Sequence, residues 1–147
     1  MSEFPQQRGA IAFECRTLRI EALSADGPPD DELVWHVYAQ LLKDEGHRGI
    51  GILIGHLAVA NDGNWGQVQV QGLVSRDRQF PSESSFKNFM KRFGVGFLEE
   101  MYDVARRALD VTAAMLDCSL DLPKPSPPVD LTFITPASVR QAPLIGE

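Results

Sequence analysis

Three histidines and one glycine-rich run are the residues of this 147-residue chain that could most directly carry chemistry. The imidazoles of His36, His47 and His56 could bind a metal ion or transfer protons, but no carboxylate or cysteine stands at metal-ligand spacing from them. The run GIGILIG (49–55) superficially resembles a phosphate-binding loop. It lacks the Lys-Ser/Thr ending, and no helix is predicted to follow it, so we interpret it as part of a strand. Its glycines at alternate positions, here called the glycine track, would then leave one face of the strand without side chains. That space could take either a close backbone contact or a ligand.

The carboxylates and cysteines give no clearer sign of a reaction. The pairs Asp30-Asp31 and Glu99-Glu100 fall in a predicted loop and on a predicted helix surface, where solvation and ion pairing account for them. Cys15 and Cys118 are too few and too far apart for a disulfide framework or a zinc site. No nucleophile elbow or kinase signature is present. We therefore expect no catalytic residues, no metal and no cofactor, and a protein that is not an enzyme.

Composition indicates one ordinary globular domain over residues 1–147, with flexible tails at 1–10 and 136–147. The formal net charge of −6 argues against nucleic acid as a partner, because binding to phosphates needs clustered Lys and Arg. The first residues, MSEFPQQRGA, do not read as a signal peptide, and no apolar run is long enough to insert into a membrane. We expect a cytoplasmic protein.

Alternation of apolar and polar residues predicts four strands before residue 76. The phase of the first strand shifts near Arg16, which predicts a β-bulge. The pair Asp62-Gly63 suits a tight hairpin turn. Turn-rich loops are predicted at 24–31 and 43–49. The predicted strands are residues 11–23, 33–42, 50–60, which reads as central, and 67–75, whose valines and glutamines point to opposite faces.

From residue 82 the apolar period changes to that of a helix. A short helix is predicted first, with core phenylalanines on one side, and Gly94 and Gly96 are predicted to end it. A second helix then covers about 98–118 and carries two apolar stripes, of which the sheet needs only one. The second stripe predicts a contact with another subunit, through Val104, Ala108, Val111 and Met115. Strands followed by helices predict an α+β fold.

The stretch FKNFMKRFGVGFLEEMYDVARRALDVTAAMLDCSLDLPKPSPPVDL resembles the C-terminal half of the export chaperone SecB and its SecB-like relatives. Tyr102, Ala105 and Arg106 stand near the start of the family's long helix, and Leu120 and Leu122 begin the segment that follows it. Upstream, RTLRIEALSADGPP and GHLAVANDGNWGQVQVQGLVSR look like the family's first strand and its third and fourth strands. The resemblance spans roughly residues 11–133.

This resemblance implies a four-stranded antiparallel sheet covered on one face by a long helix, with a short helix before it. It also implies a dimer or dimer of dimers, and an ATP-independent chaperone that binds unfolded or partly folded polypeptide in an apolar surface groove. A translocase motor or a dedicated client, such as an antitoxin, would be a further partner. Two alternatives stay open: a small-ligand binding protein or unrecognised enzyme, and an oligomeric adaptor for one protein partner. The residues predicted to bind polypeptide are Trp35, Phe80, Phe86, Leu122, Val129 and Phe133.

Overall fold

Five strands and one long helix make up the computed structural model, which describes residues 11–23, 31–42 and 48–134. The predicted tails, His47 and nearly all of both predicted loops lie outside these residues. The elements in chain order are β1 (Ile11–Leu23), β2 (Glu32–Leu42), β3 (Gly49–Asn61), β4 (Asn64–Arg76), α1 (Glu83–Met115) and β5 (Asp130–Ile134).

The strands form a single sheet in the order β1-β4-β3-β2-β5. The first four pair antiparallel, and β3 is the central strand, as its apolar residues on both faces predicted. The predicted α+β fold is confirmed, but the sheet has a fifth strand that the sequence did not predict. After the helix the chain returns to β2, and β5 pairs with it in parallel, from His36 opposite Asp130 to Gln40 opposite Ile134.

Both local irregularities predicted in the sheet are present. The β1–β4 register shifts between Thr17 and Arg19, so Leu18 is the extra residue of a bulge. The β3–β4 hairpin turns at Asp62 and Gly63, whose φ angles are 54° and 82°. Two successive positive φ values are those of a type I′ turn, which matches the right-handed twist of the strands.

Helix α1 covers the face of the sheet to which Val68, Val70 and Val74 point. On the opposite face the glutamines between these valines are only half-buried, as the alternation predicted. The helix contributes Met101, Tyr102, Ala105 and Leu109 to the core, each fully buried. The sheet and the helix thus form the two layers of an α+β domain.

The prediction of two helices separated by glycines is wrong, because α1 is continuous over 33 residues. Each glycine costs about 1 kcal/mol relative to alanine inside a helix. That cost is offset because Phe86 and Phe89 before Gly94, and Leu98 after it, are buried in one core. Tertiary packing therefore keeps the helix intact across its weakest point.

The two ends of α1 are capped. At the start, the Ser82 side chain accepts a hydrogen bond from the Ser85 amide at 3.1 Å. At the end, Asp117 has a φ of 55°, and the Cys118 amide donates to the Ala113 carbonyl at 2.9 Å. This left-handed cap ends the helix at Met115, three residues before the predicted end.

Candidate polypeptide-binding surface

Three of the six residues predicted to line a groove are buried in the core. Trp35, Phe80 and Phe86 are only 3%, 8% and 2% exposed. The Trp35 ring meets the Tyr102 ring edge-on, with centroids 5.7 Å apart. Phe86 packs edge-on against Phe80 at 5.2 Å and against Phe133 at 6.0 Å. The expectation that these three side chains lie on an open surface is corrected: the chain's own aromatic residues enclose them.

The glycine track on β3 is the reason these rings fit so closely on the sheet. A Cβ atom on Gly51 would lie 2.5 Å from the Phe86 ring, and one on Gly55 would lie 2.7 Å from the Trp35 ring. Real Cβ atoms do not approach this closely, so only glycine can stand there. Of the two interpretations of the track, the close contact is confirmed, and the space is filled by aromatic side chains.

The other three predicted residues lie in or just after the segment that follows the helix. We call residues 116–129 the post-helix strip. Leu122 and Val129 in the strip, and Phe133 in β5, are half-buried, with one side against the core. Their remaining exposed surface makes them available to a partner, although a role in binding stays a prediction.

One buried side chain anchors the middle of the strip. The Tyr102 hydroxyl donates a hydrogen bond to the carbonyl oxygen of Pro123, with 2.5 Å between the two oxygens. Burial raises the pKa of Tyr102 to about 12, so the hydroxyl stays a hydrogen-bond donor up to higher pH than an exposed tyrosine would. Leu120, three residues earlier, is 8% exposed and packs where Gly66 leaves room. The strip is thus attached to the core through a hydroxyl and a leucine.

Two asparagines at the β3–β4 turn hold the beginning of the strip. Asn61 Oδ1 accepts a hydrogen bond from the Asp121 amide at 3.1 Å, and Asn64 Nδ2 donates to the Ser119 carbonyl at 3.2 Å. Within the part of the chain that the structure describes, residues 119–129 make no main-chain to main-chain hydrogen bonds. Four of these eleven residues are prolines, which have no N–H, so it is chiefly carbonyl oxygens of the strip that can accept hydrogen bonds from another chain.

A cluster of polar side chains fastens β5 to β2. His36 Nδ1 lies 3.0 Å from Asp130 Oδ2, and His36 Nε2 lies 3.3 Å from Thr132 Oγ1. The Tyr38 ring stacks on His36, with centroids 4.3 Å apart. The sequence offered no sign of this cluster, because its members come from two strands that are distant in the chain. Since the Asp130 side chain is 75% exposed, we interpret the cluster as a surface link between strands.

The second apolar stripe predicted on α1 is partly exposed. Val104 and Ala108 are half-buried, whereas Val111 and Met115 are 62% and 80% exposed. No other chain is present, so contact of these four residues with a second subunit stays a prediction. Their exposure is what such a contact requires.

Charged side chains border this stripe. Arg106 contacts Asp103 at 2.7 Å and Asp110 at 3.2 Å, and Arg107 contacts Asp103 at 2.6 Å. The hydrogen bond from Arg106 lowers the pKa of Asp103. The charges pair among themselves along the helix and leave the apolar stripe uninterrupted by unpaired ions.

The described residues contain no group of three or more His, Cys, Asp and Glu side chains that could hold a metal ion. Among residues 11–23, 31–42 and 48–134, no helix is both long and apolar enough to cross a bilayer.

Comparison with known proteins gives a structural match only. No family model matches the chain, and no curated protein matches it. Among solved structures, the chain is similar to a SecB-like chaperone of Mycobacterium tuberculosis, solved with a peptide from an antitoxin. The identity is 16%, the TM-score is 0.49, and the match covers 84% of this chain and 94% of that one. A likeness at this level concerns the arrangement of the elements and not the function.

Proposed function

We propose that this protein is an ATP-independent cytoplasmic chaperone that holds unfolded or partly folded polypeptide on an apolar surface. The observation that carries the proposal is the apolar surface that the post-helix strip leaves uncovered. Exposed apolar surface marks sites of protein–protein contact. Leu116, at the start of the strip, is 48% exposed, and Leu122 and Val129 are half-buried.

The post-helix strip supplies the contacts proposed for the client. Leu122, Val129 and Phe133 offer half-exposed apolar surface along an extended segment, and burying it contributes about 25 cal/mol per Å². The free backbone of the strip and the outer edge of β1 can add main-chain hydrogen bonds to an extended client. Trp35, Phe80 and Phe86 then support this surface from beneath. Such contacts favour extended chains over folded proteins.

Assembly is the second part of the proposal. Val104, Ala108, Val111 and Met115 are assigned to a contact between subunits, in a dimer or a dimer of dimers. Support comes from the position of the stripe, which lies beside the face of α1 that covers the sheet. A helix covered on both sides would lose its exposed apolar surface, as stable subunit interfaces do.

The small-ligand alternative predicts a closed pocket lined by the aromatic cluster, and the space at that cluster is small. The space between β2, α1 and β5, beside Ala39, Phe86 and Phe133, measures about 10 Å³. That volume accommodates a single water molecule at most. An adaptor that serves one dedicated partner would use the same surface as a chaperone. The two functions differ in selectivity, which the following experiment measures.

The experiment combines light scattering with a permanently unfolded probe, reduced and carboxymethylated α-lactalbumin. We expect a defined oligomer that captures this probe and ignores native α-lactalbumin. A Leu122→Ser/Val129→Ser double variant should lose capture while keeping its oligomer mass and a cooperative thermal transition, at a somewhat lower melting temperature because both side chains pack partly against the core. Leu73→Ser is the matched control, because Leu73 is 37% exposed on the opposite face of the sheet.

Each result of this experiment has one meaning. Capture of the probe by the double variant at wild-type affinity would remove the strip from the binding site. Capture of nothing by an intact wild-type oligomer would contradict the chaperone proposal and favour the dedicated adaptor.

A further inference from the structure

An open cleft lies where the end of β4 meets the first turns of α1, on the opposite side of the molecule from the strip's anchoring turn. Its volume is about 630 Å³. Three arginines line it, Arg76, Arg78 and Arg92, together with one acidic residue, Asp77. A neighbouring cleft of about 410 Å³ shares Arg76 and Asp77 and adds Arg48. Four arginines and one aspartate therefore border one continuous surface of an otherwise acidic protein.

The positive charge of this surface is not neutralised within the described part of the chain. No carboxylate lies within ion-pair distance of Arg48, Arg78 or Arg92 there. Burial, which is the larger effect, and the charge of Arg78 both lower the pKa of the Arg76 guanidinium, whereas Asp77 raises it. An anionic partner would relieve this repulsion. The surface is thus electrostatically complementary to a carboxylate-bearing ligand.

Arg76 is already engaged in building the cleft. Its guanidinium lies 3.8 Å from the centroid of the Phe80 ring. It also donates hydrogen bonds to the carbonyls of Arg78 at 2.9 Å and Gln79 at 2.8 Å. Arg76 therefore holds the loop between β4 and α1 in place. The exposed guanidiniums of Arg78 and Arg92 remain available to a ligand.

Apolar side chains line the same cleft. Phe93 is 39% exposed, and its ring packs against Phe89 with centroids 5.0 Å apart. Ile11, at the start of β1, also lines the cleft. Arginines beside exposed aromatic and aliphatic surface suit a segment in which acidic residues flank an apolar one. Nucleic acid fits less well, because Phe93 is the one exposed aromatic ring among the lining residues, whereas single-stranded nucleic acid is bound by stacking successive bases on several rings.

We infer that this arginine cleft binds acidic amphipathic polypeptide segments, in which glutamates or aspartates flank an aromatic or aliphatic side chain. The inference rests on the proposal that the protein binds polypeptide, and it defines the sequence class that this second surface selects. Arg78 and Arg92 hold the carboxylates, and Phe93 and Ile11 contact the apolar side chain. Arg48 extends the positive surface for a longer segment.

The test uses a fluorescein-labelled peptide with blocked ends, in which glutamates alternate with one phenylalanine and one leucine between flexible glycine-serine ends. A second peptide replaces every glutamate by glutamine. Anisotropy is measured with the full-length protein at about 0.15 M salt. At this ionic strength the long-range attraction between exposed charges that are not in contact is largely screened. We expect the glutamate peptide to bind about fivefold or more tightly than the glutamine peptide. The Arg78→Gln/Arg92→Gln variant should lose about that factor.

The controls separate this inference from general charge effects and from the chaperone proposal. Arg16→Gln/Arg19→Gln removes the same charge from exposed positions on β1 that line neither part of the cleft, and it should bind like wild type. The inference is overturned if the cleft variant binds within about twofold of wild type, or if both peptides bind equally. Tighter binding of a single-stranded oligonucleotide through the same arginines would also overturn it. If the cleft variant still captures unfolded α-lactalbumin, the chaperone proposal stands even where the inference about the arginine cleft fails.

Discussion

Replacing Tyr102 by phenylalanine tests how the post-helix strip is held. The change removes the hydroxyl that donates to the Pro123 carbonyl at 2.5 Å, and it keeps the ring that packs against Trp35. A typical hydrogen bond contributes about 0.5–1.5 kcal/mol net, and an unsatisfied buried acceptor costs about 1–3 kcal/mol. Because Tyr102 is fully buried while Pro123 lies in a half-buried strip, we expect a loss of about 1–2 kcal/mol in the free energy of unfolding.

The assay is urea denaturation followed by circular dichroism, with native-state hydrogen exchange of the Asp121 amide, which donates to Asn61 Oδ1. We expect exchange of this amide to accelerate in the variant, because its strip has lost its central anchor. Tyr38→Phe is the control, since the Tyr38 ring stacks on His36 on the other face of the sheet. Its expected effect is below about 0.5 kcal/mol.

The pH dependence gives this prediction a second, independent readout. The pKa of Tyr102 is raised to about 12 in the folded protein, above the value of about 10 in an unfolded chain. The folded state thus favours the protonated hydroxyl. This stabilisation is fully present below about pH 10 and is lost as the pH rises through about 12. The stability gap between wild type and Tyr102→Phe should therefore shrink over that interval. A gap that is below about 0.3 kcal/mol at neutral pH and constant with pH would refute the reasoning.

Two further predictions concern assembly and packing. Val111→Arg should reduce the mass measured by light scattering to the 16.3 kDa of one chain, whereas Val95→Arg, at a position 70% exposed elsewhere on α1, should leave the oligomer intact; a monomeric wild type at micromolar concentration would contradict the assignment. Gly55→Ala should lower the free energy of unfolding by about 1–3 kcal/mol, because its Cβ would lie 2.7 Å from the Trp35 ring. Gly96→Ala, with nothing within 4 Å, should raise it by about 0.5–1 kcal/mol, and equal effects at both glycines in thermal melts would be inconsistent with this packing.

The candidate site was predictable only in part. The resemblance placed Leu122, Val129 and Phe133 in or after the segment that follows the helix, and all three lie against the core with part of their surface exposed. Trp35, Phe80 and Phe86 were predicted to line the same groove and are buried instead. In a sequence, an aromatic residue within an apolar pattern looks the same whether its side chain lines a groove or lies in the core. Which of the two applies depends on what packs above it, and that comes from distant parts of the chain.

Local chemistry let the sequence determine most of the sheet by itself. Alternation set the strands and their two faces, the phase shift near Arg16 indicated the bulge, and Asp62-Gly63 specified the hairpin turn. These features depend on neighbours within a few residues, whose steric and hydrogen-bonding preferences act wherever the chain goes.

The tertiary structure alone decided the rest. Helix α1 passes through Gly94 and Gly96 because burial on both sides outweighs their local cost. Strand β5 exists because residues 130–134 find the edge of β2, roughly a hundred positions earlier in the chain. The arginine cleft forms because the end of β4, the start of β1 and the first turns of α1 meet at one corner. Contacts between distant segments have no periodic signature, so their free energy becomes visible only when the chain is folded.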